Sequence, residues 1–233
     1  MLFDKDGTLC RSDSYLSALA QARAHFCVEL CGDPSLEAPL LAAYGLGLDG
    51  ELNPAGATAV ANRYENLIST ATLLAAAGFS WSQARQWAAA ALEAADQTLA
   101  ADKARLTPPT PGLIAMLEQL EAAGVTLAII SGDLEPSLEA FLHYYGLRKH
   151  FRALHGSNRV PAKPDPAAVF NLCAELRIAP ARCGLIGDAA DDLAMASAAG
   201  LGWSLAYSGG WRSPPQLQGS LGQLQHWDQL LAG

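Results

Sequence analysis

The sequence is poor in positive charge. Only 15 of its 233 residues are lysine or arginine, against 23 aspartate or glutamate residues, so the formal net charge is −8 and the isoelectric point lies near 5.0. Such a charge balance repels nucleic acid and anionic lipid, and we therefore expect neither as a partner. With only four lysines in the chain, an anionic ligand must be held by a metal ion or by a few well-placed cations.

Long apolar runs and a cysteine framework are also missing. No segment approaches the roughly 18 consecutive apolar residues that a membrane helix needs, and the N-terminus has no basic stretch followed by an apolar one, as a secretion signal would. The five cysteines are odd in number and lack CxxC spacing, which is typical of free thiols in a reducing compartment. These absences predict a cytoplasmic protein that has no contact with a membrane.

What the sequence does contain is an alternation of apolar strands and amphipathic helices. Five short apolar segments predict strands at residues 1–3, 125–130, 151–154, 184–186 and 203–207. Apolar residues recur at helical spacing over residues 113–120 and 138–145, and each run is followed by a glycine. From residue 107 onward, this alternation predicts an α/β fold with a doubly wound parallel sheet.

Residues 14–106 interrupt this alternation with a helical segment. They contain no convincing strand, whereas Asn53, followed by proline, and Ser80, with a glutamine three residues later, are typical helix N-caps. Polar and proline-rich stretches flank the segment on both sides, as expected of linkers between domains. We therefore predict a helical domain at residues 14–106, inserted after the first strand of a core that residues 1–13 and 107–233 form.

Polar motifs follow four of the predicted strands at the point where each strand ends. Since the carboxyl ends of parallel strands meet at one edge of a sheet, where open α/β folds bind ligands, we expect these residues to lie close together. Taken singly, each motif is also typical of a solvated turn, a helix cap or a surface residue. The residues are Asp4, Asp6 and Thr8 after the first strand, Ser131 and Gly132 after the second, Lys163 in the loop after the third, and Asp188 and Asp192 after the fourth.

The four motifs together resemble those of the haloacid dehalogenase-like hydrolases, in order and in spacing. They read DKDGTL at residues 4–9, ISG at 130–132, KPDP at 163–166, and GD at 187–188 followed by Asp192. The helical insertion resembles the helical cap of that family, and the subgroup that the chain resembles most is that of the phosphoglycolate phosphatases. The resemblance extends over essentially the whole chain. It implies a phosphatase that acts on a small phosphorylated metabolite, with phosphoglycolate as the leading candidate.

The resemblance also implies a role for each motif residue. Asp4 would be the nucleophile that forms an aspartyl-phosphate, and Asp6 would protonate the leaving group and then activate water. Lys163 would neutralise negative charge on Asp4 and on the phosphoryl group. The residues that would hold the phosphoryl oxygens are Thr8, Ser131, Gly132 and Lys163.

A magnesium ion is the cofactor that the resemblance implies. Its ligands would be the carboxylate of Asp4, the backbone carbonyl of Asp6 and the carboxylate of Asp188, with Asp192 supporting the metal from nearby. Elementary electrostatics agrees, because a carboxylate and a phosphate dianion approach each other only if cations offset their repulsion. Oxygen ligands of this kind suit Mg²⁺, which keeps several of its waters.

Two alternatives share these motifs or this fold. A sugar phosphomutase of the same family would keep all four motifs, and a non-catalytic binding protein can be built on the same fold. The second acid, Asp6, argues against dehalogenases and phosphonate-cleaving relatives, which do not keep it. In the helical insertion Arg63 is a candidate contact for a carboxylate or a second phosphate, whereas we expect Asp133 only to cap a helix. We expect a monomer or a homodimer.

Overall fold

The structure is a computed structural model that describes residues 1–47, 49–213, 215, 217 and 222–231. Contacts between residues divide the chain into two compact units. One unit consists of Met1–Ser12 and Thr107–Gly233, and the other of Asp13–Leu106. Each unit has its own architecture.

The unit Asp13–Leu106 is helical and contains no strand among its described residues. Its helices are α1 (Asp13–Cys31), α2 (Glu37–Ala43), α3 (Ala57–Val60), α4 (Arg63–Ala76), α5 (Trp81–Leu99) and α6 (Lys103–Leu106), and a short 3-10 helix at Pro34–Leu36 precedes α2. α5 packs against both α1 and α4. The helical insertion predicted after the first strand is therefore confirmed.

An alanine face on α5 explains this packing. Ala84, Ala88, Ala91 and Ala95 recur at helical spacing and are fully buried, so neighbouring helices can approach closely. Ser80 caps the helix by accepting a hydrogen bond from the backbone N–H of Gln83, as predicted. The helix therefore starts where its N-cap signal places it.

Asn53 does not begin a helix, and that prediction is wrong. Its side-chain oxygen accepts a hydrogen bond from the backbone N–H of Ala55 at 2.9 Å, which closes a tight turn. The next helix, α3, starts only at Ala57. Asparagine side chains accept the same kind of bond in turns and at helix N-caps, so the local sequence does not separate the two.

The other unit is built on a six-stranded parallel sheet. Its strands are β1 (Leu2–Phe3), β2 (Leu127–Ile130), β3 (Phe151–His155), β4 (Gly184–Gly187), β5 (Trp203–Tyr207) and β6 (Gln223–Leu224). The strand order is β3-β2-β1-β4-β5-β6. The α/β class and the five predicted strands are confirmed. The sequence pattern did not reveal β6, which is only two residues long and lies at the edge.

Helices cover both faces of this sheet. They are α7 (Leu113–Ala122), α8 (Glu135–Tyr144), α9 (Pro166–Leu176), α10 (Ala190–Ala198) and α11 (Asp228–Leu231), with short 3-10 helices at Arg148–His150 and Pro180–Arg182. Phe3 and Ile129 pack with α7 and α8 in one core, whereas Leu2 and Ala128 pack with α9 and α10 in a second core. Because successive strand residues point to opposite faces, a sheet covered on both sides needs such continuous apolar strands.

β1 has only two residues, yet it lies at the centre of the sheet. Leu2 and Phe3 pair with β2 on one side and β4 on the other, and both are fully buried. The N-terminal ammonium donates to the carbonyl of Thr126 at 2.6 Å, and the N–H of Asp4 donates to the carbonyl of Ile186 at 2.9 Å. These bonds extend the pairing past both ends of the strand and fix Asp4 at its carboxyl end.

β2 begins at Leu127, two residues later than predicted. The β-branched residue Val125 suggested a strand, but its N–H donates to the carbonyl of Leu120 at 2.9 Å and closes the end of α7. The predicted end of the strand at Ile130 is confirmed. That end is the part that positions the site.

Candidate active site

Three neighbouring strands deliver polar residues to one edge of the sheet. Asp4 follows β1, Ser131 follows β2 and Asp188 follows β4. The strand order reverses at β1, which lies between β2 and β4. Open α/β sheets bind ligands in the crevice that forms at such a switch point. The clustering predicted from the strand ends thus follows from the topology.

Lys163 reaches this edge from the loop after β3. Its ammonium lies 2.5 Å from Oδ1 of Asp4 and 2.6 Å from Oδ1 of Asp192. The loop is held by the buried His155, whose Nε2 lies 2.9 Å from the carbonyl oxygen of Pro161. Burial opposes the charge on Lys163, but Asp192 and Asp4 raise its pKa above the ordinary value. The lysine is therefore a fixed cation.

Asp4, Asp188 and Asp192 form a buried cluster of carboxylates. One oxygen atom of each lies within 4.8 Å of the others. Burial raises the pKa of Asp4 to about 6, with Lys163 opposing this shift and Asp192 adding to it. Burial, Asp4 and Asp192 together raise the pKa of Asp188 well above its usual value. The single charge of Lys163 does not balance three carboxylates.

This cluster fits a divalent metal ion. Its donors are carboxylate oxygens, which hard cations such as Mg²⁺ prefer. Burial is the main cause of the raised pKa values of Asp4 and Asp188, and a bound cation would relieve the repulsion between carboxylates that adds to them. The structure therefore brings together the three side chains that the sequence predicted to form the metal site.

Two neutral donors hold Asp188 in place. The hydroxyl of Thr8 donates to its Oδ1 at 3.0 Å, and the indole N–H of Trp211 donates to its Oδ2 at 2.6 Å. Thr8 was predicted to hold a phosphoryl oxygen, but in this structure its proton goes to Asp188. Trp211 was not among the site residues predicted from the sequence. The available signal was its place just after the fifth predicted strand, the rule that located the other motifs.

Gly7 makes this close packing feasible. Its φ of 78° lies in the left-handed region, which favours glycine. A Cβ atom at this position would overlap the carboxylate of Asp188 and the indole of Trp211. The turn is closed by the N–H of Thr8, which donates to the carbonyl of Lys5 at 3.2 Å. Both the backbone conformation and the space therefore require glycine here.

Asp6 has a separate set of donors. Its Oδ1 accepts a hydrogen bond from Nζ of Lys5 at 2.7 Å and one from Oγ of Ser12 at 2.6 Å. Lys5 is buried, and its Nζ also lies 2.9 Å from Oδ2 of Asp133. Among the described residues, the Asp6 carboxylate is not part of the three-carboxylate cluster. From the sequence, Lys5 had no predicted role and Asp133 was expected only to cap a helix.

Ser131 and Gly132 lie at the same edge of the sheet. The backbone N–H of Ser131 donates to the carbonyl of His155 at 3.0 Å, and its Oγ accepts from the N–H of Asp133 at 3.1 Å. No described residue accepts the hydroxyl proton of Ser131. A Cβ atom on Gly132 would meet nothing within 4 Å, so the space beside this glycine is open.

The family of the chain follows from a comparison of its sequence with known families. Residues 1–200 match the model of the haloacid dehalogenase-like hydrolases. The chain belongs to this family. The match includes every predicted site residue, whereas Trp211 lies beyond it. The resemblance that the four motifs carry is therefore confirmed.

Similar proteins from this family include phosphoglycolate phosphatases. The chain is 33% identical over 102 residues to phosphoglycolate phosphatase 1 of Pseudomonas aeruginosa, which is 43% of this chain and 38% of that protein. The chain thus matches well under half the length of the curated relatives that it resembles.

Solved structures share the fold over almost the whole chain. A predicted phosphoglycolate phosphatase of Haemophilus somnus has a TM-score of 0.71 at 19% identity and covers 99% of this chain and 95% of its own. A Thermotoga maritima protein assigned as a β-phosphoglucomutase has a TM-score of 0.65 at 16% identity and covers 99% of this chain and 97% of its own. At these identities the structures show the fold of the family and not a shared substrate.

Other predictions concern residues outside the site. Arg63 was a candidate contact for an anionic ligand, but its guanidinium pairs with Asp96 and, at 2.9 Å, with Glu93. All five cysteines are free, as the sequence predicted. None of the described helices is both long and apolar enough to cross a membrane.

Proposed function

We propose that this protein is a magnesium-dependent phosphatase that hydrolyses a small phosphorylated metabolite through a covalent intermediate on Asp4. The observation that carries the proposal is the setting of Asp4, a buried carboxylate at the end of a central strand. It contacts the ammonium of Lys163 and lies beside Asp188 and Asp192. Similarity to phosphoglycolate phosphatases supports the proposal. Phosphoglycolate or a chemically similar phosphomonoester is the proposed substrate.

In the first step a carboxylate oxygen of Asp4 attacks phosphorus, and the bond between phosphorus and the leaving oxygen breaks. Lys163, 2.5 Å from Asp4, offsets part of the negative charge on the carboxylate and on the phosphoryl group. Asp6 gives a proton to the leaving oxygen. The products are an alcohol and an aspartyl-phosphate.

In the second step water attacks the phosphorus atom of the aspartyl-phosphate. Asp6, now a carboxylate, takes a proton from this water, and the bond between phosphorus and the Asp4 oxygen breaks. Inorganic phosphate leaves, and both acids return to their initial states. The hydroxyl of Ser131 and the backbone N–H of Gly132 hold phosphoryl oxygens during both steps.

The proposed metal ligands are the carboxylates of Asp4 and Asp188 and the backbone carbonyl of Asp6, with Asp192 nearby. Mg²⁺ at this position would neutralise charge on the phosphoryl oxygens. Asp192 lies 2.6 Å from Lys163, so it also positions the lysine. The two neutral donors on Asp188 orient that carboxylate toward its ligand role.

Substrate selection belongs to the helical unit in this proposal. Residues 1–13 and 107–233 form the catalytic core, and residues 14–106 form a cap domain. Every residue assigned above to phosphoryl transfer or metal binding lies in the core, so the helical unit can vary without changing the chemistry. Replacement of residues 14–106 by the matching segment of a relative with another substrate should change the substrate preference and preserve the dependence on Mg²⁺.

Phosphate release from a panel of phosphate esters tests the proposal. The panel includes phosphoglycolate and sugar phosphates, with and without Mg²⁺, and the proteins are the wild type, Asp4→Asn and Asp191→Asn. Asp191 is an exposed neighbour of the cluster and serves as the matched control. We expect Mg²⁺-dependent release that is lost only in Asp4→Asn. Isomerisation of a sugar phosphate without release would instead identify a phosphomutase, and binding without turnover would identify a non-catalytic protein.

A further inference from the structure

Lys5 lies between the two catalytic acids in the sequence, but its side chain is buried in a different environment. Its exposed side-chain fraction is 1%. The ammonium lies 2.7 Å from Oδ1 of Asp6, 2.9 Å from Oδ2 of Asp133 and 5.4 Å from the centre of the Phe141 ring. An ammonium is buried at a high cost unless charged partners surround it. Lys5 is therefore fixed by its partners and cannot move independently of Asp6.

Asp133 connects this ion pair to the neighbouring loops. Its backbone N–H donates to Oγ of Ser131, and its carbonyl oxygen accepts from the N–H of Ser157 at 2.8 Å. The loop after β2 thus carries both a proposed phosphate ligand and the carboxylate that holds Lys5. The position of Lys5 is determined by the core of the protein and not by solvent.

The donors on Asp6 act on one of its two oxygens. Lys5, Ser12 and Cys10 all donate to Oδ1, at 2.7, 2.6 and 3.5 Å, and no described residue donates to Oδ2. The Asp6 side chain is 24% exposed, so it is accessible from solvent. This arrangement fixes the carboxyl group through Oδ1 and leaves Oδ2 for a reacting atom.

We propose that Lys5, held by Asp133, is the residue that positions Asp6 for proton transfer to the leaving group. The inference rests on the proposed function, because it assigns Asp6 the role of the acid. Lys5 does not touch the reacting atoms and acts only through Asp6. In the first step the leaving oxygen takes its proton from Asp6, so a misplaced Asp6 slows the departure of a poor leaving group and hardly affects a good one.

Two substrates distinguish positioning from a structural role. The leaving group of 2-phosphoglycolate is an alkoxide, which needs a proton, whereas that of p-nitrophenyl phosphate is a stabilised phenolate, which departs without one. The quantity to compare is kcat/KM, because it reports the steps up to departure of the leaving group and excludes the later hydrolysis of the aspartyl-phosphate. Both substrates are assayed on the same preparation, so the ratio of the two values is independent of the fraction of folded enzyme.

The variants are Lys5→Met and Asp133→Asn, with Lys149→Met as control, since Lys149 is exposed in the same unit. For Lys5→Met we expect kcat/KM to fall about 100-fold with 2-phosphoglycolate and no more than about 3-fold with p-nitrophenyl phosphate. Asp133→Asn keeps Lys5 and should fold even if Lys5→Met does not. For Asp133→Asn we expect kcat/KM with 2-phosphoglycolate to fall about 10-fold, again with a much smaller fall for p-nitrophenyl phosphate. The control should leave both values unchanged.

Three results would overturn the inference. Equal losses with both substrates would show that Lys5 only supports the fold, and unchanged values would show that Asp6 needs no such support. A wild type that hydrolyses neither substrate would overturn the proposed function and, with it, this inference. Activity of the wild type on both substrates therefore separates the two failures.

Discussion

Two lysine-centred clusters lie at the same edge of the sheet and differ in their charge balance. The Lys163 cluster consists of Lys163, Asp4, Asp188 and Asp192, and the Lys5 cluster consists of Lys5, Asp6 and Asp133. In both, a lysine bridges two carboxylates. The Lys163 cluster contains one carboxylate more, Asp188, and the hydrogen-bond donors that it has among the described residues are both neutral.

Because of this additional carboxylate, the two clusters suit different functions. Burial and two neighbouring carboxylates raise the pKa of Asp188 well above its usual value, so the Lys163 cluster is short of positive charge. A shortage of this kind favours the binding of a cation. The Lys5 cluster is closer to balance and is packed against the Phe141 ring, which suits a fixed geometry. The comparison assigns charge compensation to the first cluster and positioning to the second.

Removal of Lys163 should give the largest effect. Lys163→Met deletes a cation that acts on Asp4 and the phosphoryl group for any substrate, so kcat/KM should fall about 10² to 10³-fold. The fall should be similar for 2-phosphoglycolate and for p-nitrophenyl phosphate, in contrast to Lys5→Met. Steady-state assays with both substrates measure it. A Lys163→Met variant with the leaving-group selectivity expected of Lys5→Met would break the distinction between the clusters.

Trp211 should affect metal affinity. Trp211→Phe removes the indole N–H that holds Oδ2 of Asp188, and loss of such a supporting hydrogen bond weakens metal binding about 10-fold. The Mg²⁺ concentration that gives half-maximal activity should rise by this factor, and calorimetric titration with Mg²⁺ checks it directly. Trp81→Phe, at an exposed position of the helical unit, is the control. An unchanged Mg²⁺ affinity would remove Trp211 from the site.

Asp188→Asn should stabilise the protein in the absence of metal. The substitution removes a buried carboxyl group whose charged form is disfavoured by burial and by Asp4 and Asp192. The free energy of unfolding at pH 7 should therefore increase on the order of 1 kcal/mol. Addition of Mg²⁺ should stabilise the wild type and Asp191→Asn but not Asp188→Asn. Urea unfolding in EDTA and in Mg²⁺ measures both effects. A less stable Asp188→Asn variant in EDTA would show that the hydrogen bonds to Asp188 outweigh the repulsion.

A smaller effect concerns pH. Burial raises the pKa of Asp4 from 3.8 to about 6 in the folded protein without metal. A carboxyl group with a raised folded pKa binds its proton more tightly when folded, so its stabilising contribution is present below about pH 4 and is lost as the pH rises to about 6. The free energy of unfolding of the wild type, measured relative to Asp4→Asn in EDTA, should decrease across this interval. A constant difference would contradict the raised pKa.

Much of the site could be predicted because its residues follow strand ends. The strands are recognisable from short apolar segments, and Asp4, Ser131 and Asp188 each come next in the chain. Strand ends are local features, set by periodicity and by turn residues such as Gly7. The parallel arrangement then places these ends at one edge, without knowledge of any particular contact.

Other residues could not be assigned because their roles depend on partners far away in the sequence. No role was predicted for Lys5, which lies between two acids in the sequence, because its proposed role depends on contacts with Asp133 and Phe141. Trp211 belongs to the site only because Asp188 lies within 2.6 Å of its indole nitrogen. The guanidinium of Arg63 could bind an anionic ligand, but it forms salt bridges with the surface carboxylates of Glu93 and Asp96.

The sequence by itself determined the family, the α/β class, the helical insertion and the positions of the motif residues. These features depend on strand periodicity, helix caps and turn residues, which are patterns of residues close together in the chain. Only the tertiary structure decided which carboxylate each lysine meets. Lys163 and Asp4 are 159 positions apart in the chain. Strand order decides whether such groups become neighbours, and burial decides the free-energy cost of each charge. Neither is a property of a local sequence pattern.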